Sequence, residues 1–211
     1  MLLRAGEIAA AAETVRHQGQ DVAALAPRAR ARRIAMLPQS ALAPPSLSVR
    51  QLVARGRTPW MRPFMPMGPV DRAAIDRALR SVGLTDLAAR PVDSLSGGQR
   101  QRAWIALVLA QECDTILLDE PLNFLDLPHQ AEQVGLLRQL WQARSVVMIL
   151  HDLTIAARVC DQVLALRDGR LVAIGPPATV LASAPLRDTF GIGFGCATLP
   201  DGRQVVLPAG L

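Results

Sequence analysis

Thr115-Ile116-Leu117-Leu118-Asp119-Glu120-Pro121 opens as a short apolar run and closes on two adjacent carboxylates and a proline. An apolar run without period-two alternation reads as a strand covered on both faces, the kind found in parallel sheets. Two other stretches share this build. Ile34–Leu37 is followed by Pro38-Gln39, and Ser145–Leu150 is followed by His151-Asp152. In an open α/β sheet, ligands bind at the carboxyl ends of the strands. Parallel neighbours of this kind gather an amide, two carboxylates and an imidazole on one edge. That set suits a Mg²⁺-bound phosphate. One carboxylate holds the hard cation directly or through water. The other orients or deprotonates an attacking water. The amide senses metal and water, and the imidazole hydrogen-bonds the terminal phosphate. The plainer reading, in which each polar residue simply ends its strand, loses ground when the pattern recurs three times.

Working outward, residues 97–111 read as a helix whose middle, Ala103 to Ala110, is apolar all round and therefore buried. Residues 70–83 have helical period, with Ile75, Leu79 and Val82 on one face, Asp71 near the start and Gly83 as a stop. Residues 128–142 form a helix with Val134, Leu137 and Trp141 on one side. Asp168-Gly169 between Val163–Leu166 and Leu171–Ala173 signals a hairpin. Thr14–Arg16 reads as a short strand before a turn at Gly19, residues 1–13 as helix-prone, and 26–33 as a short basic helix. Val49–Ala54 forms a short helix within the Pro-, Met- and Arg-rich residues 40–69, and Met61–Pro69 is a loop. Alternating strands and helices in the second half argue for an α/β fold.

The chain has 211 residues, half of them hydrophobic and 19% charged, which excludes a disordered polymer. No apolar run reaches the roughly 18 residues a membrane-spanning helix needs. Met1–Ile8 carries Arg4 and Glu7 and has no signal-peptide core. Cys113, Cys160 and Cys196 are odd in number and widely spaced, so they read as thiols with neither disulfide nor zinc spacing. All 23 basic residues are arginine, and there is no tyrosine. Apart from Arg28, Arg30, Arg32 and Arg33 the positive charge is scattered, which is a solvated surface more often than a nucleic-acid face. Met61, Met65 and Met67 would suit a soft metal, but adaptable methionines are more common at protein contacts.

Leu95-Ser96-Gly97-Gly98-Gln99 stands immediately before the apolar helix. Its glycines permit close backbone approach, and the helix start with the Ser96 hydroxyl reads either as an anion site or as a capped helix with a flexible entry. The string LSGGQRQR at 95–102, then TILLDEP, Leu125-Asp126 and Leu150-His151-Asp152, resembles the ATP-binding subunit of ABC transporters from about residue 14 onward. That resemblance implies one ABC ATP-binding domain over 1–211, a RecA-like α/β core with a helical subdomain inserted at about 45–110. It assigns Asp119 to Mg²⁺, with Gln39 as the Q-loop glutamine beside metal and water. Glu120 becomes the catalytic base, and His151 the switch histidine. Asp126 becomes the D-loop aspartate that communicates across a dimer. Leu95, Ser96, Gly97, Gly98 and Gln99 become the signature that contacts ATP held by the opposite subunit. Ser48–Val53, Gly56-Arg57-Thr58-Pro59-Trp60, Ala106–Gln111 and His151-Asp152-Leu153 resemble, more narrowly, importers of ferric siderophores, haem and vitamin B12. The implied partners are membrane permease subunits met by residues 40–69, a second copy or another ABC ATPase and, indirectly, a periplasmic or surface binding protein, with no nucleic acid. The implied location is the cytoplasmic face of the inner membrane.

The sequence departs from that family in one respect. A phosphate-cradling loop reads GxxxxGK[ST], and a lysine-free chain cannot contain it. The adenine-stacking aromatic is missing too. Three readings are open: an ordinary ATPase whose start is misplaced or whose frame is broken, a decaying remnant, and a non-hydrolysing regulatory partner of an intact ABC ATPase.

Overall fold

In the computed structural model the described residues are 15–39, 44, 46–62, 64–122, 134–138, 144–191, 193–199 and 204–208. The helix expected at residues 1–13 lies outside them, as do Thr14 and most of the helix expected at 128–142. Of the latter, 134–138 are helical, with Leu136 and Leu137 buried. The chain divides into two compact units, Met1–Ile149 and Leu150–Leu211.

The first unit begins with a small hairpin. β1 (Arg16–His17) pairs with β2 (Gln20–Asp21) in antiparallel register. Gln18 and Gly19 both have positive φ, 49° and 77°, which is what a two-residue hairpin turn requires. Of the strand expected at Thr14–Arg16, Val15 and Arg16 are described; Arg16 begins β1 and Val15 precedes it. α1 (Pro27–Ala31) starts on a proline whose missing N–H costs nothing at that position.

β3 (Ile34–Leu37), β4 (Thr115–Asp119) and β5 (Ser145–Ile149) form a parallel sheet with β4 in the middle. Leu37, Leu118 and Met148 lie side by side, so the carboxyl ends of all three strands come level. Ile116, Leu117 and Leu118 are buried, as a doubly covered strand should be.

Between β3 and β4 the chain makes a helical segment. α2 (Val49–Ala54) is held by a reciprocal capping box: Ser48 Oγ accepts from the Gln51 N–H and Gln51 Oε1 accepts from the Ser48 N–H. α3 (Pro69–Ser81) stops where Gly83, at φ 66°, lets the Leu84 N–H reach the Leu79 carbonyl and its own N–H reach Arg80. α4 (Gly97–Ala110) buries Ala103, Ile105, Ala106, Val108, Leu109 and Ala110, which cover most of its circumference. Large aliphatic residues buried in this way contribute about 1.5–3 kcal/mol each.

The helical segment is tied to the strands at one knot. Gly56 lies so close to α4 that a Cβ there would meet the Leu107 carbonyl oxygen at 2.2 Å. Arg57, 3% exposed, donates Nε to Asp71 at 2.9 Å and Nη1 to the Ala110 carbonyl at 2.8 Å and to Glu112 at 2.7 Å. Trp60 Nε1 donates to the Gln111 carbonyl, while Arg32 and Arg57 stand 4.9 Å and 5.3 Å from its ring centroid. Gln111 Nε2 reaches the carbonyls of Ala31 and Ile34, at the foot of β3.

The second unit contains α5 (Leu153–Val159), the hairpin β6 (Val163–Arg167) and β7 (Arg170–Gly175), α6 (Pro177–Leu181), α7 (Ala184–Phe190), and the hairpin β8 (Phe194–Thr198) and β9 (Gln204–Pro208). Asp168 and Gly169, at φ 49° and 74°, make the turn expected from their sequence. Ala165, Val180, Leu181, Leu186 and Val206 form its core. The segment between β8 and β9 carries Asp201-Gly202, a turn signal that the reading of the sequence left unused.

Candidate functional site

The level strand ends set out the site. Asp119 is the last residue of β4, in register with Ile149 of β5. Glu120 follows in the left-handed region, φ 50°, and its N–H donates to the Ile149 carbonyl at 3.2 Å. A non-glycine residue held there carries a conformational cost of about 1–3 kcal/mol, and such strain clusters at functional sites. Gln39 stands two residues past β3 and donates Nε2 to Glu120 Oε2 at 2.5 Å. Asp119 and Glu120 are half-buried and Gln39 is exposed. The structure thus brings an amide and two carboxylates to one edge of the sheet.

Leu95 is buried and closes the turn before α4. Ser96 caps the helix: its Oγ accepts from the Gln99 N–H at 3.3 Å, and Gln99 Oε1 accepts from the Ser96 N–H at 3.1 Å. Nothing lies within 4 Å of the position a Gly97 Cβ would take, so the start of α4 is open to an approaching group. Gln101, which the sequence reading passed over, reaches the same turn as Glu120: its Nε2 donates to the Pro121 carbonyl at 2.5 Å. Only its place one turn beyond Gly97 could have flagged it.

His151 is the second residue of the second unit, two residues beyond the end of β5, and is exposed. Asp152 caps α5, accepting from the N–H groups of Thr154 and Ile155 at 2.7 Å and 3.0 Å. Asp126 lies outside the described residues.

The donor set at the strand ends is all oxygen apart from the Gln39 amide nitrogen. Two carboxylates fit Mg²⁺, which is usually held by one or two carboxylates with substrate phosphates completing its shell. Among the described residues, no group of three or more His, Cys, Asp or Glu side chains could hold a metal ion. For the triphosphate the fit is partial: Ser96, Gly97 and the open start of α4 suit a phosphate, but the 211 residues contain no lysine to cradle one.

A sequence profile described as ABC transporter matches residues 1–123. This chain belongs to the ABC transporter ATP-binding family. Among curated ABC ATP-binding proteins, it is 43% identical over 185 residues to the achromobactin transport ATP-binding protein CbrD of Dickeya dadantii (strain 3937), covering 87% of this chain and 68% of that protein. It is 42% identical over 198 residues to a siderophore transport system ATP-binding protein, YusV of Bacillus subtilis (strain 168), covering 92% and 71%. Among solved ABC transporters, one of metal-chelate type in an inward-facing conformation superposes with a TM-score of 0.76 at 31% identity, over 83% of this chain and 72% of that one. The α/β architecture of this chain is the ABC ATPase fold.

Proposed function

We propose that this chain is the ATP-hydrolysing subunit that energises an ABC importer of ferric siderophores. The Gln39–Glu120 contact at the carboxyl ends of β3 and β4 carries the reading, because it sets a base and its orienting amide where strand-end chemistry belongs. The cargo rests on likeness to relatives named for achromobactin and siderophore transport. ATP supplies the phosphoryl group, and Mg²⁺ neutralises charge on its phosphates. Asp119 holds the cation. Glu120 takes the proton of the attacking water, and Gln39 keeps that carboxylate aimed. His151 hydrogen-bonds the terminal phosphate. Ser96, Gly97, Gly98 and Gln99 offer backbone N–H groups and a hydroxyl to nucleotide on a paired subunit, with Leu95 anchoring their turn and Asp126 acting across the pair.

The partners are a membrane permease, a second ABC ATPase subunit and, indirectly, a substrate-binding protein. The chain sits on the cytoplasmic face of the membrane. Among the described residues, no helix is long and apolar enough to cross it.

The open start of α4 at Gly97 also suits a second reading. Here the chain does not hydrolyse ATP itself and offers its signature, Leu95–Gln99, to nucleotide held by a pairing ABC ATPase. One experiment tests both. The chain is co-expressed with its permease, and MgATP hydrolysis and uptake of ⁵⁵Fe-labelled siderophore are measured with and without an intact ABC ATPase. Turnover and uptake without it support the first reading. Turnover only with it supports the second, and neither under any condition rejects both.

A further inference from the structure

Glu120 is held in a strained conformation, so something must hold it there. Two of its restraints come from the sheet: the Ile149 carbonyl takes its N–H, and Gln39 holds its carboxylate. A third comes from α4, where Gln101 donates to the carbonyl of Pro121. Pro121 has no N–H, so its carbonyl is the one main-chain group by which the residue after Glu120 can be held. Gln101 lies four residues after Gly97 and three after Gly98, on the helix face those glycines open. A shift of the start of α4 therefore moves the Gln101 amide with it.

We propose that Gln101 is a positioning residue that couples the Leu95–Gln99 end of α4 to the turn aiming Glu120. It touches neither nucleotide nor water; it acts through Pro121. Engagement of the signature is thereby transmitted to the base within the same chain. The functional half of this inference rests on the ATP-hydrolysing reading above; the mechanical half does not.

Two variants separate the possibilities. Gln101→Glu keeps the shape but replaces the N–H donor with a carboxylate, and Gln101→Met keeps the bulk without polarity. Amide hydrogen exchange is followed on the 211-residue chain without nucleotide. In both variants the amides of Asp119, Glu120 and Leu122 exchange roughly five- to tenfold faster, as loss of one hydrogen bond implies, while Ala103–Leu109 are unchanged. Unchanged exchange at Asp119–Leu122 overturns the coupling. Equal acceleration along α4 overturns it too, since that reports a loosened helix. In the chain assembled with its permease, kcat for ATP falls roughly ten- to a hundredfold at constant KM. A matched rise in KM without loss of kcat overturns the positioning role. An assembled wild type without turnover would sink the hydrolytic reading and leave the exchange comparison to decide the coupling.

Discussion

The side-chain amide of Gln39 is bonded to the carboxylate of Glu120 at 2.5 Å, joining the ends of two strands that lie 81 positions apart in sequence. Glu120→Gln removes the basic oxygen and keeps the size. Turnover of MgATP by the chain assembled with its permease is expected to fall about 10²–10⁴-fold, the range for loss of a general base, with nucleotide binding retained. Equilibrium binding of a labelled nucleotide beside steady-state hydrolysis checks this. A variant that keeps a tenth of the turnover would remove Glu120 from the role.

Arg57 is the buried cation of the knot and cannot shed its charge. Arg57→Met leaves Asp71 and the Ala110 carbonyl without this donor and Glu112 with Arg77 alone, and a loss of about 3 kcal/mol or more is expected in urea denaturation. Arg57→Lys recovers only part, because an ammonium cannot span the same partners. The Glu112 carboxyl is pushed up by burial, but hydrogen bonds from Arg77 and Arg57 outweigh that and hold it below its ordinary 4.5. A carboxyl depressed on folding stabilises above its unfolded pKa, and that stability is lost as pH falls through the folded value. The urea midpoint should therefore drop below pH 4.5, and Glu112→Gln should flatten that limb of the profile.

Gly56 is required for space. A methyl group there would sit 2.2 Å from a helical carbonyl oxygen, and a backbone atom cannot swing away. Gly56→Ala is expected to cost about 2–3 kcal/mol, the scale of overpacking. At this chain length each kcal/mol lowers Tm by roughly 2–4 °C, so calorimetry reads the effect directly. Gly97→Ala, with nothing within 4 Å, is the control and should leave Tm within about a degree.

Burial pushes the Cys113 thiol up to about 12, and its Sγ lies 3.2 Å from the Ala31 carbonyl. Only about one molecule in ten thousand then carries the thiolate at pH 8. Iodoacetamide should modify Cys113 only after unfolding, as peptide mass mapping with and without denaturant would show. Rapid labelling of the folded chain at Cys113 would contradict the packing.

What the sequence made legible was local. Ile34–Leu37, Val49–Ala54 and the start of α4 at Gly97 follow from apolar runs and capping residues within a few positions of one another. The strand ends that carry Gln39 and Asp119 were readable for the same reason. Arg57 was not: its partners Asp71, Ala110 and Glu112 lie 14, 53 and 55 positions away, and no periodicity encodes them. An arginine among 23 gives no hint that it will be the one buried among the described residues. Gly56–Trp60 was read as a family mark beside a permease surface. The structure adds an interior role that chain-local reasoning cannot see. Gln101 was hidden likewise, its acceptor being a main-chain oxygen 20 positions on.

The knot also turns α4 into a lever. Its 14 residues are pinned at the Ala110 end, by Arg57 and through Gln111, and open at the Gly97 end. At 1.5 Å per residue the arm is about 21 Å long, so a tilt of about 5° about the pinned end carries Gly97 roughly 2 Å and Gln101 more than 1 Å. A 2.5 Å hydrogen bond stretched that far is broken. A motion too small to disturb the packing around Ile105 is thus large enough at the tip to release the turn that carries Glu120.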